Sequence, residues 1–216
     1  MPKCYINSYR PLVSTAEGRR ASEKHRVPPF VDGSIRREPD LEHAFPSITC
    51  LCRAKQFTPR LHVGDYIAFM TVKGSYDRRT EHRRLTAVLE VLKVRPNHSE
   101  AAKWYQSEGH RLPSNCMVPE NPPLPEEQSA GLSCSNDCAS VDEWDKGYKT
   151  RAMENGKFVI CMPLFRDLSW DAPIVEDQQI KNVWKVLPTQ NPPTLQPSYF
   201  WKFLDQFGIS APPSAP

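Results

Sequence analysis

Charged residues are concentrated in one stretch of the chain, DGSIRREPDLEH, residues 32–43. Two adjacent arginines, Arg36 and Arg37, are followed by the carboxylates of Glu38 and Asp40. An arginine can bind an oxyanion through two parallel hydrogen bonds, and a neighbouring carboxylate can fix the orientation of its guanidinium group. The stretch therefore predicts either a site for an anionic or polar ligand, or a salt-bridged loop that anchors the chain around it.

Groups suited to acid–base or nucleophilic chemistry lie in the same part of the chain. They are Asp32, Glu38, Asp40, His43 and Cys50. A carboxylate–arginine cluster beside a thiol or an imidazole could serve cleavage of a glycosidic bond or transfer of a base. The sequence contains no nucleophile elbow, P-loop, G-x-G-x-x-G motif, zinc-protease motif or deaminase signature. An enzyme that acts on a nucleobase or nucleotide is thus an alternative for which no catalytic residue is assigned.

Two of the seven cysteines, Cys134 and Cys138, have a C-x3-C spacing that occurs in zinc sites. The nearest upstream candidates for further ligands are His110 and Cys116, which do not form a second close pair. We therefore predict no metal and no cofactor. We also expect reduced thiols, because the N-terminus does not have the plan of a secretory signal.

The bulk composition is typical of a soluble globular protein. The 216 residues are 39% hydrophobic and 25% charged, with a net charge of +3. No apolar run approaches the roughly 20 residues that span a bilayer, so we expect a cytoplasmic protein without a membrane partner. Basic residues recur between Arg10 and Arg95, as in EGRRASEKHR and DRRTEHRR, whereas the second half is more acidic. A phosphate-bearing partner would therefore bind the N-terminal half, unless these clusters are simply solvated.

Hydrophobic periodicity predicts a strand-rich first half. The expected strands lie near residues 4–9, 47–52, 65–72, 84–94 and 157–163, and the third and fourth form a hairpin. Asn97 caps a helix near 98–108, and further helices are predicted in VDEWDKGYKTRAMEN and SYFWKFLDQFG.

The predicted domain organisation is simple. A single domain over residues 1–187 includes a long loop, 10–46, and a proline- and cysteine-rich insertion, 119–141. A spacer and an aromatic helix follow over 188–208, and a disordered tail over 209–216.

Several stretches resemble the PUA-like superfamily, which includes the ASCH, EVE and YTH domains. They are LHVGDYIAFMTVKG, LTAVLEVLKV with the helical AAKWY after it, and GKFVICMPLFRDLSW. The pattern SITCLCRAKQFTPRLHVGD is most similar to the nucleotide-modification-associated domains of bacteria and phages. The resemblance extends over roughly Cys4 to Trp170. It implies an α+β fold, a small, mostly antiparallel β-barrel with flanking helices.

The resemblance also implies binding of nucleic acid or a nucleotide, with a modified or flipped base in the mouth of the barrel. Such a base requires an aromatic face and hydrogen bonds to its edges, and its phosphates require cationic donors. The candidate ligand-binding residues are then Arg36, Arg37, Glu38, Asp40, Arg53, Trp104, Asn115 and Trp170.

Four of these candidates also have a purely structural interpretation. Arg53, at a strand end, could reach the barrel mouth or be a solvated edge charge. Core packing is the simpler role for Trp104, and a turn is the simpler role for Asn115. Trp170 could form an aromatic wall or be buried beneath the closing helix. A protein-interaction module is a third class of function, since PENPPLP could dock in an aromatic groove.

Overall fold

The structure, a computed structural model, describes residues 2–51, 56–77, 80–132, 139–184, 187–189 and 191–213. The strands in these ranges are β1 (Cys4–Tyr9), β2 (Ser47–Ile48), β3 (Tyr66–Thr71), β4 (Arg83–Arg95), β5 (Phe158–Arg166) and β6 (Ile174–Val175). The helices are α1 (Ala16–His25), α2 (His98–Ser107), α3 (Val141–Glu154), α4 (Asp177–Val183) and α5 (Pro197–Asp205). None of these helices is long and apolar enough to cross a membrane.

A curled half-barrel sheet forms the centre of the molecule. Its strand order is β1-β3-β4-β5-β2, and β6 pairs with the start of β4. Strand β1 runs parallel to β3, and the other pairings between the described strands are antiparallel. The predicted α+β class is confirmed, although the described strands form half of a barrel and not a closed one.

The hairpin of β3 and β4 supplies the longest strand and the bend of the sheet. All six residues of β3 are buried, as its apolar run predicts. The pairing register shifts between Phe69 and Met70, and again where β4 meets β5. An extra residue on one strand bends that strand and increases its twist, which accounts for the curl of the sheet.

Each face of the sheet is covered by its own hydrophobic core, because successive strand residues point to opposite faces. Tyr5, Ile67 and Leu89 belong to the first core, which also includes Val31 and Leu41. The second core packs Cys4, Ile6 and Tyr66 against α4 and α5 and includes the aromatic residues Phe200, Trp201 and Phe203. Ile209, the first residue of the predicted tail, also packs in this second core.

Two local predictions need correction. The predicted loop over 10–46 contains α1, which Thr15 caps by accepting a hydrogen bond from the backbone N–H of Gly18 at 3.0 Å. The helix has no apolar stripe, so periodicity did not reveal it. The predicted strand 47–52 ends at Ile48, because the backbone N–H of Thr49 donates to the Glu38 carboxylate at 2.9 Å and not to a neighbouring strand.

Candidate functional site

The charged stretch 32–43 lies mostly in the interior of the protein. Every residue from 29 through 41 is buried, and the residues of Arg36 and Arg37 are only 1% and 2% exposed. Buried charges are stable only when they are paired and hydrogen-bonded. The partners of each side chain therefore decide what the stretch does.

The Arg36 side chain ties the stretch to three distant segments. Its Nε donates to Asp145 Oδ1 in α3 at 2.6 Å. Its Nη1 donates to the carbonyl oxygens of Asn121 at 2.8 Å and Ser114 at 3.3 Å. The expectation that Glu38 or Asp40 would orient this guanidinium is wrong, because a carboxylate 109 positions along the chain holds it instead.

The Arg37 side chain closes the stretch on itself. Its Nη1 donates to the carbonyl oxygens of Asp32 at 2.7 Å and Ser34 at 3.2 Å, and its Nη2 donates to that of Gln128 at 2.5 Å. The Asp32 carboxylate accepts from the backbone N–H groups of Ser34 and Glu38. Burial lowers the pKa of Arg37 and raises the pKa of Asp32. The arrangement is that of a clamp within the chain.

Glu38 and Asp40 also have intramolecular partners. Glu38 Oε1 accepts from Thr49 N, and Oε2 accepts from Asn115 Nδ2 at 3.1 Å and contacts the hydroxyl of Thr49. Burial raises the pKa of Glu38 to about 8. Asp40 Oδ2 accepts from the backbone N and Oγ of Ser114 at 2.7 and 2.8 Å. Asn115 is fully buried and thus joins these segments inside the protein.

The groups considered for catalysis are similarly enclosed. Burial raises the pKa of the Cys50 thiol to about 11, so the reactive thiolate is scarce near neutral pH. Burial lowers the pKa of His43, whose two ring nitrogens lie 2.9 Å from the Phe45 carbonyl oxygen and 2.8 Å from that of Arg111. These contacts favour a structural role for the cluster.

The remaining predicted residues lie in different surroundings. Trp104 is buried against Phe45, with their ring centroids 5.4 Å apart. Arg53, Cys134 and Cys138 lie outside the described residues. Within the described ranges, no group of three or more His, Cys, Asp or Glu side chains is placed to hold a metal ion.

Trp170 lies at the surface, where 43% of the residue is exposed. Its indole meets the ring of the buried Phe30 edge-on, with centroids 5.2 Å apart. It is therefore not covered by the closing helix, which was one of the two roles that the sequence left open.

An open pocket of about 410 Å³ lies where the chain after β1 meets the chain after β3. The side chains that define its character are Arg10, Arg19, Lys73, Tyr76, Val13 and Val72. No acidic residue lines it. We call this the basic pocket.

Two of its three cations are available to a ligand. The exposed side chains of Arg10 and Arg19 make no hydrogen bond or ion pair with another described residue, whereas Lys73 Nζ donates to Asp177 Oδ2 at 3.1 Å. Sequence reasoning missed Arg10 and Arg19 as site residues, although it placed a phosphate-bearing partner in this half of the chain. The basic cluster EGRRASEKHR was the available signal.

The buried stretch supports one wall of the basic pocket. The backbone N–H of Gly33 donates to the Arg10 carbonyl at 3.2 Å, and that of Leu12 donates to the Val31 carbonyl at 2.8 Å. On the other side, the Tyr76 ring packs on Phe30 with centroids 5.5 Å apart, and its hydroxyl donates to the Val72 carbonyl. The charged stretch thus fixes the backbone from which Arg10 projects.

Comparison of the chain with protein-family models, with curated proteins and with solved structures finds no match. A proposal for the function therefore has to rest on the geometry of the basic pocket.

Proposed function

We propose that the protein binds a nucleotide, or one nucleotide unit of a nucleic acid, with the phosphate held in the basic pocket. The observation that supports this most directly is the lining, with three cationic side chains and no acidic one. Arginine and lysine are the side chains that most often hold phosphate oxygens, and Arg10 and Arg19 have no competing partner among the described residues.

The dimensions and remaining walls of the pocket suit a ligand of this kind. A volume of about 410 Å³ falls within the ~300–1,000 Å³ range of small-molecule sites. Val13, Val72 and the Tyr76 ring add apolar surface beside the cations. A nucleotide has both an anionic and a flat apolar part, so it uses both kinds of wall.

We further propose that the half-barrel belongs to the PUA-like superfamily, and that the bound base is modified or flipped out of its stack. The turn before β3 supports the fold assignment. Gly64 has a φ of +86°, and the buried Asp65 carboxylate accepts from the backbone N–H groups of Lys3 and His62. The Gly-Asp pair thus positions both β1 and β3.

Binding measurements on charge variants test the proposal. We expect Arg10→Ala and Arg19→Ala each to weaken binding of a nucleoside 5′-monophosphate and of short labelled oligonucleotides. A lost charge-assisted hydrogen bond of about 1.5–3 kcal/mol corresponds to roughly ten- to a hundredfold in Kd. The slope of log K against log salt for a single strand should also fall by about 0.7 for each phosphate contact removed.

Arg20→Ala is the matched control. Arg20 follows Arg19 directly, its side chain is 71% exposed, and it pairs with Glu17 outside the pocket. Its removal should leave the affinity for these ligands unchanged, apart from a small loss of long-range electrostatic attraction. Wild-type affinities that survive both Arg10→Ala and Arg19→Ala would place the ligand elsewhere, and no binding of any nucleotide or oligonucleotide would reject the function.

A further inference from the structure

We propose that the ligand is a single strand of nucleic acid, and that Trp170 is a stacking platform for a second base beside the basic pocket. This inference rests on the proposed function and narrows its ligand class from nucleotides in general to a strand. In this arrangement the exposed indole stacks on the second base, and the pocket holds a phosphate of the strand.

Trp170 lies beside the pocket through two ring contacts. The Trp170 and Phe30 centroids are 5.2 Å apart, and the Phe30 and Tyr76 centroids are 5.5 Å apart. Tyr76 lines the pocket, and Phe30, which contacts both rings edge-on, is fully buried. The Trp170 and Tyr76 centroids are therefore less than about 11 Å apart. Each nucleotide of a stacked strand advances roughly 3.4 Å and an extended one advances further, so two or three nucleotides span the distance from the indole to the pocket.

The loop that carries Trp170 is held in place before any ligand arrives. Arg84 Nη1 donates to the carbonyl oxygens of Trp170 at 2.9 Å and Ala172 at 2.6 Å. Arg84 Nη2 donates to Asp77 Oδ2 at 2.6 Å, which fixes the guanidinium from the other side. A preorganised loop loses little conformational entropy on binding, so the contact with a base is not offset by the cost of ordering it.

The backbone just before Trp170 is held by two further sets of hydrogen bonds. Asp167 Oδ1 accepts from the backbone N and Oγ of Ser169 at 2.9 and 2.7 Å, which forms a tight turn just before the tryptophan. The backbone N–H of Phe30 donates to the Leu168 carbonyl at 3.1 Å. The turn is thus joined by a hydrogen bond to the backbone of Phe30, whose ring contacts the indole.

The chemistry around Trp170 suits a base and not a phosphate. A large exposed aromatic ring offers a flat apolar surface on which any base can stack, independent of sequence. The neighbouring Asp171 is exposed and would repel a phosphate placed directly over the indole. A strand satisfies both conditions when one phosphate lies in the pocket and a base one or two nucleotides further along lies on Trp170.

Affinities for ligands of two lengths test the inference. The probes are a nucleoside 5′-monophosphate and hexanucleotides of single-stranded DNA and RNA. We expect wild-type protein to bind the hexanucleotides more tightly than the monophosphate. Trp170→Ala should weaken hexanucleotide binding by about five- to 150-fold, which corresponds to the stacking of one base. It should leave monophosphate binding unchanged, and Trp170→Phe should retain part of the difference.

Tyr199→Ala is the matched control, since Tyr199 is an exposed aromatic residue of α5. Its hexanucleotide affinity should equal that of wild type. Intrinsic tryptophan fluorescence gives a second readout, because a stacked base quenches the indole, and the quenching should be lost in Trp170→Phe. DNA and RNA probes distinguish which strand is preferred.

Two results would overturn the inference while leaving the proposed function intact. One is a hexanucleotide affinity in wild type no greater than the monophosphate affinity. The other is hexanucleotide binding and fluorescence quenching that persist in Trp170→Ala and Trp170→Phe but depend on Arg10. Failure of both ligands to bind wild-type protein would reject the proposed function and the inference together.

Discussion

Arginines have two different roles in this protein, and the groups that surround each side chain decide which one it has. Arg36 and Arg37 are buried and donate to carbonyl oxygens and to Asp145. Arg10 and Arg19 are exposed beside an open pocket. Hence the two pairs should respond differently to substitution, the first in stability and the second in binding.

Arg36→Ala should lower the free energy of unfolding by about 3 kcal/mol, the lower part of the range for a broken buried ion pair. The loss leaves the Asp145 carboxylate without its interior partner, although Lys149 Nζ stays 3.1 Å from Asp145 Oδ2 at the surface. Urea denaturation gives the difference. Arg20→Ala, which removes an exposed arginine, should change stability by less than about 0.5 kcal/mol. Equal stabilities for the two variants would contradict a stabilising role for the buried Arg36–Asp145 ion pair.

The buried Glu38 carboxyl predicts a stability that declines as the pH rises from about 4.5 to about 8. Its pKa is raised to about 8 in the folded protein from about 4.5, mainly by burial. Between these values the folded state keeps the proton and the unfolded state has lost it. Raising the pH therefore favours unfolding, by up to about 1.4 kcal/mol for each pH unit, until Glu38 ionises near pH 8.

The window from pH 6.5 to 8 avoids most of the contribution of two buried histidines. Burial lowers the pKa of His98 to about 4 and also lowers that of His43, so both act in the opposite direction, mainly below pH 6.5. Asp32, whose pKa is also raised, acts in the same direction as Glu38. Thermal or urea unfolding across the window should show a decline that Glu38→Gln reduces. A wild-type profile that matches Glu38→Gln throughout would show that the carboxyl is ionised in the folded state.

At the scale of single elements, two helices each contain a glycine. Helix propensity alone predicts the same effect for replacing either one. Gly18 lies in α1 and Gly147 in α3. A Cβ on Gly18 would lie 1.7 Å from the carbonyl oxygen of Leu12, which is backbone and cannot move aside. A Cβ on Gly147 would meet only the flexible end of Arg151, at 3.4 Å. The surroundings of each glycine, and not its helix propensity, set the effect of replacing it.

The same substitution should therefore have opposite effects in the two helices. We expect Gly147→Ala to stabilise the protein by roughly 0.5–1 kcal/mol, the gain in helix propensity. Gly18→Ala should destabilise it by more than 2 kcal/mol, as an overpacked contact does, and should weaken ligand binding because α1 carries Arg19. Differential scanning calorimetry and the nucleotide titration supply the two readouts. A stabilising Gly18→Ala would mean that α1 does not pack on Leu12.

At the scale of the whole molecule, α5 is part of the second core and not an appendage. Phe203 is fully buried, and the backbone N–H of Leu195, just before the helix, donates to the Cys4 carbonyl at 2.8 Å. The segment thus pairs with β1 at Cys4 and packs on the face of the sheet that carries the second core. The sequence-based division at residue 188 separates parts that share this hydrophobic core.

Phe203→Ala should lower the free energy of unfolding by about 3–5 kcal/mol, as for other phenylalanines removed from a core. Tyr199→Ala, on the exposed side of the same helix, should change it by less than about 0.5 kcal/mol. Equilibrium denaturation followed by circular dichroism measures both. If Phe203→Ala altered only the signal of α5 and left the rest of the transition in place, the helix would unfold independently of the domain.

The sequence by itself determined the elements whose signals are local. Strands β1, β3, β4 and β5 follow from runs of apolar and alternating residues, because a strand buried on one or both faces must have them. Helix α2 follows from Asn97, whose side chain accepts from the N–H of Glu100 at 2.8 Å as its cap. The hairpin of β3 and β4 follows from the order of these elements, since neighbours in sequence tend to pair.

Only the tertiary structure decided where the charged stretch lies and where a ligand can enter. By composition alone, residues 32–43 belong at the surface, because a charged group without partners cannot be buried. Their partners, Ser114, Asn121, Gln128 and Asp145, come from distant parts of the chain, and no local pattern announces them. Once these partners saturate the stretch, its arginines become structural. The cations that remain accessible to a ligand are then Arg10 and Arg19. Their side chains have no such partner among the described residues.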